Sequence, residues 1–173
     1  LEIKKTYIRT SLPKIKFNKT ISLRKKFNID PQKKIILMCG SVQHVKQPQL
    51  FLEIAKKTID LVKDVYFIWI GKKIDNIKKF KNDKIKFIGN IDDKLVYYSL
   101  MKSADIFLMT SKLETFPITI LEARKLGLSI VCNNFDGAQD LLEKSNFEKK
   151  FKYNNSNSAV KILRKLLFKK KKI

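Results

Sequence analysis

Short, almost unbroken apolar runs recur along the chain, separated by stretches whose apolar positions fall three or four residues apart. The runs are Ile35–Cys39, Val65–Ile70, Ile85–Ile88, Asp105–Met109 and Ser129–Cys132. Such near-continuous apolarity marks strands covered on both faces of a parallel sheet. Between them, Pro48–Val62 carries Leu50, Phe51, Ile54, Ala55 and Ile59 or Leu61 near helical spacing. Asp92–Lys102 carries Leu95, Val96, Tyr98, Leu100 and Met101, and Pro117–Leu126 carries Ile118, Ile120, Leu121, Ala123 and Leu126 before the helix stop Gly127. Strand and helix in alternation predict right-handed βαβ units and an α/β fold, an open parallel sheet with helices on both faces.

In such sheets a ligand sits beyond the carboxyl ends of the strands, near the point where the strand order reverses. The segments to inspect are therefore Gly40–Lys46, Gly71–Lys73, Gly89–Ile91, Thr110–Thr119 and Asn133–Ala138. Residues 1–30 read as a basic linker with a lead-in helix at Ser22–Phe27, and residues 31–156 as the domain. Residues 157–173 read as an amphipathic helix, Ser158–Phe168, and a tail ending in Lys169–Lys172.

Composition refines this picture. With 44% hydrophobic residues the 173-residue chain can bury a substantial core as one domain. Lys and Arg number 38 against 16 acidic residues, a net charge of +22. That charge attracts polyanions, while the excess of Lys, Ile, Asn and Phe equally matches the bias of an AT-rich genome. Cys39 and Cys132 each end an apolar run and read as buried thiols in a reducing compartment. Leu1–Ser11 lacks the apolar core of a signal peptide, and no apolar run approaches the ~20 residues of a bilayer span. These features predict a cytoplasmic domain.

The chemistry concentrates in Ser111–Gly127, SKLETFPITILEARKLG. It follows a buried strand and opens a helix, with Pro117 suited to the first helical position. The N–H groups around Phe116, Ile118 and Thr119 would then form an anion site at the helix start. Glu114 precedes that start and Glu122 lies one to two turns inside. A carboxylate offers acceptors for ribose hydroxyls, and early glutamates also simply complement the helix dipole. His44 reads as an exposed loop residue, with a donor to phosphate as the alternative. Trp69 and the pair Tyr97–Tyr98 read as packing.

The Ser111–Gly127 segment resembles the Glu-x7-Glu signature of the large group 1 family of retaining glycosyltransferases with the GT-B fold. Ser111, Glu114, Phe116, Pro117, Glu122, Ala123, Gly127 and Val131 match its pattern. Thr115, Lys125 and Ser129 depart from it. Gly40–Lys46 resembles the family's glycine loop with its lysine, although Ser41 stands where an arginine is expected. Phe67–Gly71, Ile85–Ile91 and Asp105–Ser111 resemble the intervening strands, and Asn134–Asp140 resembles a weakened glycine loop.

The resemblance implies a Rossmann-like domain, the donor-binding half of a GT-B enzyme of polysaccharide, O-antigen or capsule synthesis. Glu114 would face the transferred sugar, Lys46 would meet the donor diphosphate, and Glu122 would take the ribose. Gly40, Ser41, Gly71, Gly89, Ile91, Phe116, Pro117, Ile118 and Thr119 would line the donor. The donor is a nucleotide sugar, a UDP-sugar ahead of GDP-mannose, with no cofactor and no metal. Implied partners are an N-terminal acceptor domain of the same enzyme and a glycan or lipid-linked acceptor at an anionic membrane surface. Alone, the chain should bind nucleotide and transfer sugar poorly or not at all. Two other readings stand beside this one: a basic Rossmann-like module binding nucleic acid, for which the sequence shows no motif, and a transferase degenerate at Ser41.

Overall fold

A computed structural model describes residues 15–72, 82–115, 117–136, 138, 142 and 146–168. Lys73, Lys78, Lys79, Lys81, Phe116, Gly137, Asp140 and Lys169–Lys172 lie outside the described residues.

Six strands form one sheet: β1 (Lys34–Cys39), β2 (Val65–Ile70), β3 (Ile85–Ile88), β4 (Ile106–Met109), β5 (Ser129–Asn133) and β6 (Glu148–Phe151). Every pairing is parallel and the order is β3-β2-β1-β4-β5-β6. This is the doubly wound Rossmann order, which reverses between β1 and β4. The loops leaving those two strands, Gly40–Gln47 and Thr110–Pro117, therefore flank the crevice.

Among the described residues five α-helices accompany the sheet: α1 (Leu23–Phe27), α2 (Pro48–Leu61), α3 (Lys94–Lys102), α4 (Ile118–Lys125) and α5 (Ser156–Leu167). Their limits follow capping chemistry. Asp93 stands just outside α3 and accepts from the N–H groups of Leu95 and Val96, and Asn155 accepts from Ser158 at α5. Pro117, expected at the first helical position, stands one residue earlier as the N-cap of α4.

The pleat divides the core in two. Ile36, Met38, Phe67, Trp69, Leu108 and Val131 pack under α2 and α5 with Phe51 and Leu163. Ile35, Leu37, Ile68, Phe107 and Ile130 pack under α1, α3 and α4 with Leu23, Met101 and Ile120. Trp69 is fully buried, as expected, with Phe51 edge-on at 4.9 Å.

Strand β6 was not expected. Its sequence, Glu-Lys-Lys-Phe, buries only the two ends and leaves Lys149 and Lys150 exposed. Buried Glu148 is tolerated because Arg124 of α4 grips both carboxylate oxygens, at 2.7 and 2.9 Å. Asp105, at the opposite end of β4 from the crevice, is structural too. It accepts from the Ile35 N–H at 2.9 Å and pairs with Arg24 of α1 at 2.8 Å.

Candidate donor-binding site

The β1–α2 loop is built around a backbone that only glycine tolerates well. Gly40 has φ +132, a conformation that residues with a side chain rarely adopt, and a Cβ there would only touch the Lys46 stem, 3.6 Å from Cε. His44–Lys46 then make a single 3-10 turn, closed by Gln47 in the left-handed region at φ 52. His44 itself is exposed. The carbonyl of Lys46 accepts from Thr110 Oγ1 at 2.7 Å, and that of Val45 accepts from the Lys112 N–H at 3.0 Å. The loops after β1 and β4 are thus stitched together across the switch point.

Asn133, fully buried at the end of β5, extends that stitching. Its amide donates to Gln47 Oε1 and the Ser111 carbonyl, both at 3.1 Å, and its carbonyl accepts from the Asn154 N–H at 3.1 Å. Gln47 donates in turn to Asn154 Oδ1 at 2.8 Å. This network secures two residues of positive φ, Gln47 and Asn154. Thr110 and Asn133 open two of the segments singled out at the strand ends, but their stitching role and Asn154 were not foreseen; for Asn133, an asparagine directly after an apolar run was the available signal.

The stitched loops bring Lys46 and Glu114 together. Lys46 Nζ donates to Glu114 Oε1 at 2.5 Å, with the side chains 19% and 10% exposed. Ser111 begins the same segment, and its hydroxyl is the buried side-chain polar atom left without a hydrogen-bond partner among the described residues. Beyond Glu114, α4 opens with Ile118 and Thr119, whose N–H groups precede any intrahelical acceptor. Lys46, the Ser111 hydroxyl and the start of α4 thus all follow the carboxyl ends of β1 and β4, a combination suited to a phosphate.

Glu122 is buried at 8% exposure on α4. Tyr98 donates to its Oε1 at 2.9 Å and Tyr97 to its Oε2 at 3.2 Å. The two rings do pack, edge to face at 5.2 Å, but their hydroxyls end on this carboxylate. That corrects the expectation of helix packing alone. Tyr97 also touches the thiol of Cys39, the residue before Gly40, so Glu122 connects to the β1 end of the crevice.

The remaining expected residues divide. Gly71 packs directly on the Gly40–Ser41 backbone, and Ser41 is half-buried there. Gly89 is exposed with open space around it, and Ile91 is half-buried against the second core cluster. No hydrogen bond or ion pair joins Gly89 or Ile91 to Lys46, Glu114 or Glu122 among the described residues. Among those residues, too, no three His, Cys, Asp or Glu gather as a metal site requires, and no helix is long and apolar enough to cross a membrane.

Both thiols are shielded, as expected of buried cysteines. Burial pushes Cys39 and Cys132 from 9.0 up to about 12, with Glu122 and Glu114 respectively adding to the rise. Tyr98 is pushed up to about 12 by burial and its bond to Glu122, and Tyr97 further still. The folded chain keeps protons that the unfolded chain releases above 9.0. Stability should therefore be unaffected below that pH and should fall as pH rises toward 12. Urea midpoints measured at neutral pH and at about pH 10.5 should differ accordingly; equal midpoints would contradict the burial of these groups.

A single α/β domain with an open parallel sheet in this order has the architecture of the C-terminal, Rossmann-like half of the GT-B fold. The chain belongs to the glycosyl transferases group 1 family, whose profile matches residues 19–172. It is 28% identical over 133 residues to WclY, an O-antigen biosynthesis glycosyltransferase of Escherichia coli. That match covers 73% of this chain and 36% of the relative, so the chain spans about a third of its length. The fold is similar to the C-terminal domain of a group 1 glycosyl transferase, LpcC, of Francisella tularensis. The TM-score is 0.71 at 19% identity, covering 90% of this chain and 86% of that one. Anabaena HepE in complex with UDP-glucose gives a TM-score of 0.68 at 16% identity, covering 88% and 46%.

Proposed function

We propose that this chain holds the nucleotide and diphosphate of a sugar donor, as the donor half of a retaining glycosyltransferase acting on a glycan or lipid-linked acceptor. The observation that carries this reading is the convergence of Lys46, Glu114 and the opening of α4 at the β1–β4 switch point, with Glu122 linked to the same strand ends through Tyr97 and Cys39. Lys46 and the α4 amides stabilise the charge that grows on the departing diphosphate. Glu114 faces the transferred sugar and Glu122 accepts from the ribose hydroxyls. The acceptor attacks the face from which the diphosphate leaves, and a donor phosphate oxygen takes its proton. No protein nucleophile or metal enters this scheme.

UDP-sugar is the favoured donor, supported by the UDP-glucose complex of the Anabaena neighbour, with GDP-mannose the alternative. The O-antigen relative supports a surface-polysaccharide role. The acceptor is the province of an N-terminal domain in the same enzyme, so the chain alone transfers sugar poorly or not at all. Calorimetric titration with UDP, GDP and ADP at moderate salt tests the reading, which requires one saturable site. Salt-labile binding of any polyanion without saturation would favour a nucleic-acid module instead.

Peripheral association with an anionic membrane has its own support. A groove between α2 and α5 is lined by Leu61 and Phe168, 58% and 71% exposed, beside Lys161, Arg164 and Lys165. Apolar anchors among cations suit a lipid interface. Cosedimentation with phosphatidylglycerol vesicles but not phosphatidylcholine vesicles is the expected result, and equal behaviour with both would refute it.

A further inference from the structure

Consecutive residues on a helix point about 100° apart and do not ordinarily share a target. Tyr97 and Tyr98 nevertheless end on one carboxylate, one phenol to each oxygen of Glu122. The frame behind them is braced. Asp93 caps the start of α3, Cys39 backs the Tyr97 hydroxyl, and Lys102 donates from the end of α3 to the carbonyl of Leu126, just past α4, at 2.7 Å. Helices α3 and α4 are thus tied both at Glu122 and one turn beyond it.

An ionised carboxylate offers roughly four lone-pair directions. Two phenol donors, one per oxygen, occupy two of them and stop the group from rotating. The two left over lie in the carboxylate plane, one on each oxygen, and can accept from two neighbouring hydroxyls. We infer that Tyr97 and Tyr98 are positioning residues that preset Glu122 for a vicinal diol, and so make the site select ribose over deoxyribose. This rests on the reading that Glu122 receives the ribose. Tyr97 and Tyr98 act through Glu122 and touch no reacting atom. A buried glutamate merely satisfied by two tyrosines would show no such selectivity.

The experiment measures affinity of the chain for UDP and for 2′-deoxy-UDP by calorimetry, with GDP and 2′-deoxy-GDP as a second pair. The wild-type chain should prefer the ribonucleotide. Tyr97→Phe and Tyr98→Phe keep the ring and remove only the hydroxyl. Each should shrink the preference by about three- to tenfold, the scale of one ordinary hydrogen bond, through weaker ribonucleotide binding at unchanged deoxyribonucleotide affinity. The double variant should approach the preference of Glu122→Gln. If the variants weaken both nucleotides alike, or leave the preference intact, the positioning role is overturned while the Glu122 reading stands. If the wild-type chain binds both nucleotides equally, the Glu122 reading falls and takes this inference with it. Should Tyr97→Phe fail to fold, as circular dichroism would reveal, the less enclosed Tyr98→Phe decides alone.

Discussion

Lys46→Ala is expected to weaken UDP binding by about 30- to 100-fold, the usual scale for truncating one member of a desolvated charge pair. Two effects act in the same direction. The variant loses the cation that would meet the diphosphate, and it leaves the Glu114 carboxylate, only 10% exposed, without its 2.5 Å partner. An unpaired anion at the mouth of a phosphate site repels the ligand as well. Glu114→Gln should behave in the opposite sense. Without a ligand, the lysine is already engaged by Glu114, so an incoming diphosphate competes with that carboxylate for it. Neutralising Glu114 removes the competitor, and UDP should bind as tightly as to wild type or more tightly. In an intact enzyme the same change should abolish transfer, because Glu114 faces the sugar in the proposed mechanism. Calorimetry on both variants separates the readings. Equal weakening in Lys46→Ala and Glu114→Gln would mean that the pair is a structural ion pair and not a phosphate site.

Gly71→Ala should be the most destabilising alanine substitution among the described glycines. The added Cβ would lie 1.9 Å from the carbonyl oxygen of Gly40 and 2.5 Å from its carbonyl carbon. Those are backbone atoms, and the oxygen is already engaged by the Trp69 indole N–H at 2.7 Å. Relief therefore requires β1 and β2 to part where they pair from Cys39 to Ile70. Overpacking of this kind costs about 3 kcal/mol or more, a fall in Tm of roughly 6–12 °C for a domain of this length. Gly89→Ala is the matched control, since nothing lies within 4 Å of its added Cβ, and it should melt with the wild type. Thermal melts of the two variants make the comparison. A Gly71→Ala protein as stable as wild type would contradict the close approach of the two strand ends, and with it the packing role of Gly71.

Much of the architecture was readable because it rests on local signals that survive without tertiary context. Val65–Ile70 and Ile85–Ile88 occupy β2 and β3 as predicted, and Pro48–Val62 differs from α2 by one residue. Two-sided burial writes itself into a strand as unbroken apolarity, which is why the parallel sheet could be inferred. Edge strand β6 escaped because only its two ends, Glu148 and Phe151, are buried, which leaves its middle free to be Lys149 and Lys150 and writes no apolar run into the sequence. Only the fold reveals that Arg124 neutralises Glu148 there.

The candidate site divides in the same way. Lys46, Glu114 and Glu122 could be picked from spacing and family pattern, because the loops after parallel strands must face one end of the sheet. Sequence alone thus determined the fold class, the end of the sheet on which the candidate site lies and the charged groups proposed for it. It could not say that Lys46 and Glu114 hold each other, that Tyr97 and Tyr98 clamp Glu122, or that Asn133 ties together loops from both halves of the sheet. Each of those contacts joins residues 21 to 86 positions apart, and a hydrogen bond reaches only a few ångströms. Whether two such groups come within that reach depends on where every intervening element has packed. That was decided by the tertiary structure alone.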